Sequence, residues 1–248
     1  MKCPSDQVCI VRCNNILNAA DKLIESQGIV SFNFSQLAKD VSCSTGTLYK
    51  HFKGKEDILV CLFLRNATSN HLHGFVEKFP ELTKYQKVLL PVLFTFEAIE
   101  RSKSFSTLRS ISVNPMIWKL ASDEKVERFK KRINAFWFWF SDSIASAIES
   151  GELDATTEEA SQLVQGIIFY LTGSLTQFES ELIESKYLSD RKKTCYIHLE
   201  KLMAQYHWTV PLTKNDFEYL QRDVKKYFNT HYQYKMDCAA CNSISNKL

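Results

Sequence analysis

The sequence predicts an all-helical protein, a small N-terminal module followed by a larger helical domain. Three observations carry that prediction. Glycine and proline are scarce, seven and five in 248 residues, which leaves few of the residues that break helices. Apolar residues make up 45% of the chain, 12% of it aromatic, and they recur at helical spacing over long segments. The length exceeds one compact domain and falls short of three. No run approaches 18 uninterrupted apolar residues, so no membrane span is expected. The start, MKCPSDQVCIVRCNN, has no continuous apolar core of a signal peptide. A cytoplasmic protein with its eight cysteines as free thiols is the expectation.

Residues 6–27 read as the first helix, with Ile16, Leu17, Ala20, Leu23 and Ile24 on one face and Gly28 as its stop. Phe32 and Phe34 then fill a small core with Leu37, Leu48 and Phe52. Ser35 is suited to cap a short helix carrying Leu37, Ala38 and Val41, and Ser42, Cys43 and Ser44 form a polar corner. Ser44 is suited to cap a second short helix, Thr45 to Phe52. There Leu48 and Phe52 point inward, leaving Thr45, Thr47, Tyr49, Lys50 and His51 outward or flanking. Gly46 lets the backbone come close to another surface. The net charge of +3 identifies no partner, but Lys50, Lys53 and Lys55 cluster beside this helix. The pattern points to a helix-turn-helix for duplex DNA.

The string SxGTLYxHFxxKEDxL, here Ser44, Gly46, Thr47, Leu48, Tyr49, His51, Phe52, Lys55, Glu56, Asp57 and Leu59, resembles the DNA-binding domain of TetR-family transcriptional regulators. The likeness extends upstream through ILNAADKLIESQG, Ile16 to Gly28, and covers roughly residues 10 to 64. It departs from the family in the turn, where Gly then Val is usual and this chain has Ser42 and Cys43. Ser tolerates a positive φ less freely than Gly. The resemblance implies that Thr45, Lys50 and Thr47 approach base edges. It implies that Ser35, Tyr49, His51 and Lys55 meet phosphate oxygens, with Ser44 and Gly46 shaping the approach.

Gly54 and Lys55 begin a longer helix, to about Phe79, with Glu56 and Asp57 in its first turn. Further helices are predicted at about 83 to 102, 104 to 120, 123 to 150, 156 to 184, 190 to 207 and 213 to 234. Pro80, Pro91, Pro115, Gly151 and Pro211 bound or kink them. The organisation expected is a DNA-binding domain at 1–54, an effector-binding and dimerisation domain at 55–236, and a loose tail at 237–248.

Phe136, Trp137, Phe138, Trp139 and Phe140 run without a break, so rings leave that helix in every direction. They serve interhelix packing, or some of them line a cavity for a small apolar effector. Phe94, Phe105, Trp118, Phe169 and Tyr170 are the further lining residues in the second reading. In the helix from about Thr157, Leu163, Ile167, Leu171, Leu175 and Phe178 make a wide apolar face. With His198 and Leu202 of the next helix, that face is assigned either to a homodimeric four-helix contact of the kind the resemblance implies, or to the core.

Cys238 and Cys241 form a CxxC with no second ligand pair, so no metal site is expected. No nucleotide-binding, nucleophile-elbow or zinc-protease motif occurs, and neither a cofactor nor an enzyme is expected. The reading that results is a homodimeric, DNA-binding transcriptional regulator, a repressor released from a pseudo-palindromic site by an effector. Its two reading helices would enter major grooves about 34–36 Å apart, and the 55–79 helix would transmit effector binding to their separation. The alternatives are a ligand-independent or architectural DNA-binding protein, or a helical protein-interaction module docking through the 213–234 helix.

Overall fold

The computed structural model describes residues 4–67, 69–188 and 190–230. Twelve helices and one pair of two-residue strands make up these residues. The chain forms two compact units. The first takes the described residues of Met1–Asn70 together with Ala98–Ile133, and the second takes His71–Glu97 and the described residues of Asn134–Tyr232.

In the first unit, α1 (Gln7–Ser31) is capped by Asp6, whose carboxylate accepts from the Cys9 N–H at 2.9 Å. Gly28 breaks α1 with φ +77°, a backbone conformation that the missing Cβ makes accessible. The apolar stripe read from the sequence, Ile16, Leu17, Ala20, Leu23 and Ile24, is buried. It shares the unit's interior with Phe32, Leu37, Leu48 and Phe52, contributed in part by α2 (Phe34–Asp40) and α3 (Thr45–Tyr49).

The predicted continuous 55–79 helix is two helices, α4 (Lys55–Asn66) and α5 (Ser69–Lys78). Ala67 is extended at φ −63°, ψ 124°, and the buried Asn66 amide turns back to donate to the Leu62 carbonyl at 2.9 Å. Such a local side-chain bond competes with helix continuation. The predicted 104–120 helix likewise divides, into α7 (Lys103–Ser112) and α8 (Pro115–Trp118). Asn114 caps α8 and Pro115 occupies its first turn, the helical position where a missing N–H costs least. In the middle of α4, Phe63 lies 5.0 Å from the Phe129 ring and 5.9 Å from that of Phe105.

The division between the units falls within α5, α6 (Lys84–Arg101) and α9 (Asp123–Glu149). Pro91 is accommodated inside α6, where the Thr95 hydroxyl donates to the Pro91 carbonyl at 2.7 Å. In the second unit, Phe75, Phe94, Tyr227 and Phe228 form an aromatic cluster, with rings 5.1–5.9 Å apart. The helix α10 (Thr157–Glu179) starts in a reciprocal box: Thr156 Oγ1 accepts from the Glu159 N–H, and Glu159 accepts from the Thr156 N–H. Before α10, β1 (Leu153–Asp154) pairs antiparallel with β2 (His207–Trp208), which follows α11 (Arg191–Met203). This short ladder is absent from the sequence reading. The last helix, α12 (Lys214–Thr230), buries its apolar face of Phe217, Leu220, Val224, Tyr227 and Phe228. It covers its own unit's core, and the expected 237–248 tail lies outside the described residues.

Candidate nucleic-acid interface

Each of the two short helices owes its start to a side chain. Asn33 Oδ1 accepts from the Gln36 N–H at 3.0 Å and caps α2. Ser35, predicted as that cap, lies inside α2 with its side chain exposed. Ser44 does cap α3, accepting from the Thr47 N–H at 3.1 Å. Between them the chain closes as a Schellman turn, with Cys43 N–H donating to the Ala38 carbonyl and Ser42 N–H to that of Lys39. The turn places Ser42 at φ +51°, in the left-handed region where glycine is favoured.

Helix α3 stops at Tyr49, three residues before the predicted end. The N–H groups of Lys50 and His51 reach back three residues, to Thr47 and Leu48, and tighten the last turn. Phe52 is thereby carried into the core, where it and Leu48 are fully buried. Thr45, Gly46, Tyr49 and Lys50 are exposed. Thr47 is half-buried, its hydroxyl 3.0 Å from that of Ser44. The Tyr49 ring leans on Phe34, centroids 5.1 Å apart, which fixes the direction of the phenol. A Cβ built on Gly46 would meet only Ser44 Oγ, at an ordinary 3.6 Å. Nothing within the chain requires a glycine there, whereas a surface approaching from outside would.

His51 is half-buried against Phe52. Burial first, and then the charge of Arg12, lower the pKa of its imidazole from the usual histidine value, which favours the neutral ring. A neutral ring offers a phosphate one N–H and no charge. Lys55 is half-buried too; its Nζ donates to the Val30 carbonyl at 3.3 Å and lies 5.6 Å over the Phe32 ring. Burial lowers its pKa. Its ammonium therefore braces the link between α1 and α2. Arg12, exposed on α1 and acting electrostatically on His51, is a cation of this region that the motif does not contain.

The residues assigned to an effector cavity separate. Phe105 and Trp118 belong to the first unit, and Phe94, Phe136, Trp137, Trp139, Phe140, Phe169 and Tyr170 to the second. Within the second, Trp137 meets Phe169, Phe136 meets Phe140, and Tyr170 meets His198. Trp139 donates to the Lys87 carbonyl at 3.1 Å and lies edge-on to His73. Phe94 and Phe140 are fully buried, whereas Phe169 is 63% exposed.

The stripe assigned to a dimer face or to the core is buried within the single chain. Leu163, Ile167, Leu171 and Leu175 are each at most 3% exposed within a single chain, because α10 turns that stripe into its own unit. Leu202 is half-buried, lying against Gly166 where an added Cβ would meet it at 3.1 Å. Phe178 is half-buried against Arg191, and of the assigned residues only His198 is exposed. No cluster of three or more His, Cys, Asp or Glu suited to a metal occurs among the described residues. Cys238 and Cys241 lie outside them. No helix among the described residues is long and apolar enough to cross a membrane.

Two short capped helices, joined by a Schellman turn and presenting a polar face over a closed core, define a helix-turn-helix module. Residues 16–61 match the family of bacterial regulatory proteins described as the tetR family. The helix-turn-helix segment of this chain is thus similar to the DNA-binding module of the tetR family. The chain is 29% identical over 119 residues to the fatty acid metabolism regulator protein of Bacillus subtilis (strain 168), 48% of this chain and 57% of that protein. It is 28% identical over 97 residues to the HTH-type transcriptional regulator HbdR of Aromatoleum sp. (strain CIB), 39% of this chain and 42% of that one. The chain thus spans little more than half the length of these relatives, or less. Its fold is also that of the transcriptional regulator FadR from Bacillus subtilis in complex with stearoyl-CoA. That likeness has a TM-score of 0.55 and 21% identity over 78% of this chain and 99% of that one. A TetR/AcrR-family regulator from Thermobifida fusca has a TM-score of 0.53, 15% identity, and coverage of 79% and 99%.

Proposed function

We propose that the protein is a sequence-specific DNA-binding transcriptional regulator, a homodimeric repressor released by a small, largely apolar effector. The observation that carries this reading is α3: Leu48 is locked in the core while Thr45, Gly46, Tyr49 and Lys50 face out. Thr45 and Lys50 are assigned to base edges, with Thr47 beside them. Ser35, Tyr49 and His51 are assigned to phosphates, Ser44 holds the helix start, and Lys55 contributes charge. Two copies of α3 on a pseudo-palindromic duplex would occupy successive major grooves.

The effector domain is assigned to the aromatic helices of the second unit. Since one relative is described in complex with stearoyl-CoA, long-chain acyl thioesters are the first effector class to test. The split of the 55–79 segment supports α4 as a separate lever ending at Ala67. The experiment is selection of genomic fragments by the purified protein, followed by titration of the enriched duplex across a salt series, with and without acyl-CoA. A two-fold symmetric sequence bound with steep salt dependence is expected, and failure of the folded protein to enrich any duplex would overturn the reading.

A further inference from the structure

Asp57 belongs to the motif quoted above, yet its buried carboxylate has no part in the DNA contacts assigned so far. Asp57 and Lys125 are 0% and 2% exposed, with Lys125 Nζ 3.3 Å from Asp57 Oδ2. The same oxygen accepts from the backbone N–H of Lys53 at 2.7 Å, and the other accepts from the Ser122 N–H at 2.6 Å. The Ser122 hydroxyl adds a third hydrogen bond at 3.2 Å. Each donor has a distinct place in the chain. Lys53 follows the last turn of α3. Ser122 opens α9, its carbonyl accepting from the N–H groups of Lys125 and Val126. Lys125 also lies 5.6 Å over the ring of Phe52, the residue that anchors the end of α3 in the core. One carboxylate therefore joins the exit of the reading helix to the start of a helix 65 positions away along the chain.

Two ions this deeply buried are a costly way to join two segments, since apolar residues of the same volume would hold the core as well. What the pair supplies beyond adhesion is direction. Three hydrogen bonds converging on two oxygens, with an ammonium beside them, fix orientation within a narrow range, whereas apolar contacts permit sliding.

We propose that Asp57 is a positioning residue for DNA recognition: by clamping Lys53 against Ser122 and Lys125, it sets the angle at which α3 meets a base edge. The proposal rests on the DNA-binding reading. It assigns specificity to a residue that touches no DNA, and to a partner segment, 122–125, outside the matched 16–61 region.

The test uses the full-length protein and the ratio of its affinities for the selected duplex and a scrambled duplex of equal length. Phosphate contacts govern both affinities, and only correct base approach separates them. Asp57→Asn keeps the shape but presents an amide to donors, and leaves the Lys125 ammonium beside a neutral group. Its melting temperature and its affinity ratio should both fall, the ratio on the order of tenfold, the worth of one base contact. The double variant Asp57→Asn/Lys125→Met removes the buried ammonium as well. Its melting temperature should recover while the ratio stays low, an outcome that a purely stabilising pair does not produce.

A double variant with wild-type discrimination overturns the proposal. A wild-type protein that binds neither duplex overturns the DNA-binding reading instead. Amide exchange in the wild type gives a readout that needs no variant. The Lys53 amide is expected among the slowest to exchange in residues 49–54; exchange as fast as that of the exposed ends of helices would also overturn the proposal.

Discussion

The two units bury different kinds of chemistry. Asp21, Asp57, Arg65, Lys125 and Arg132 are all buried in the first unit, and Glu97 is the corresponding charged residue in the second. In the first, Asp21 accepts from the Ser104 hydroxyl, Arg65 donates to Asn18 at 2.7 Å, and Asp57 accepts three hydrogen bonds beside the Lys125 ammonium. The second is filled by rings instead, with Phe75, Phe94, Tyr227 and Phe228 in mutual contact. Hydrogen bonds lose strength steeply with angle, while apolar contacts depend mainly on area and fit. The first unit is thus built to hold a geometry. The second relies more on area and fit.

The largest effects should come from breaking each kind of core. Asp57→Ala breaks a buried ion pair and should cost about 3–5 kcal/mol, whereas Phe94→Ala should cost about 3–5 kcal/mol through its cavity. Urea unfolding measures both. If the comparison holds, a folded Phe94→Ala keeps wild-type discrimination between duplexes and the Asp57 variant does not.

The pH dependence sharpens the same contrast. Burial alone would raise the Asp57 pKa, but the bonds from Ser122 and Lys53 and the charge of Lys125 hold it below the usual value. A depressed carboxylate contributes stability that is complete above its unfolded pKa and is lost as pH falls through the folded one. The acid limb of the stability curve, below about pH 4, should therefore be shallower in Asp57→Asn/Lys125→Met than in wild type.

Smaller effects are expected at the surface. Lys55→Ala should weaken all duplexes alike and reduce the salt slope by about one. If the slope is unchanged while folding stability drops, the contacts with Val30 and Phe32 are what the ammonium serves. Ser42→Gly relieves a left-handed serine and should stabilise the protein by about 0.5–1 kcal/mol in thermal melts, with affinity unchanged.

Much of the first unit was legible because its information is local. The stripe from Ile16 to Ile24, the Ser44 cap and the inward pair Leu48 and Phe52 are spacings within one or two turns. The cap at Asn33 was missed because Ser35 is an equally good capping type, and only the course of the chain chooses between them. The break at Ala67 was missed because apolar spacing continues across it, through Leu62, Phe63 and Leu72. Periodicity left Leu163, Ile167, Leu171 and Leu175 open between a dimer contact and the core, because it shows that a face is buried, never against what. Asp57 was visible as a first-turn acid, but its partners at 122 and 125 leave no trace in local spacing.

Gly46 separates two demands that mutational screens usually confound. Because a methyl group there meets nothing inside the molecule but an ordinary contact with Ser44, a library sorted for soluble expression should retain Gly46→Ala. A library sorted for operator occupancy should discard it. Positions with that signature, silent in one selection and lethal in the other, map the footprint of an absent partner. The same double sort across residues 44–55 would draw the outline of the duplex without a complex ever being crystallised.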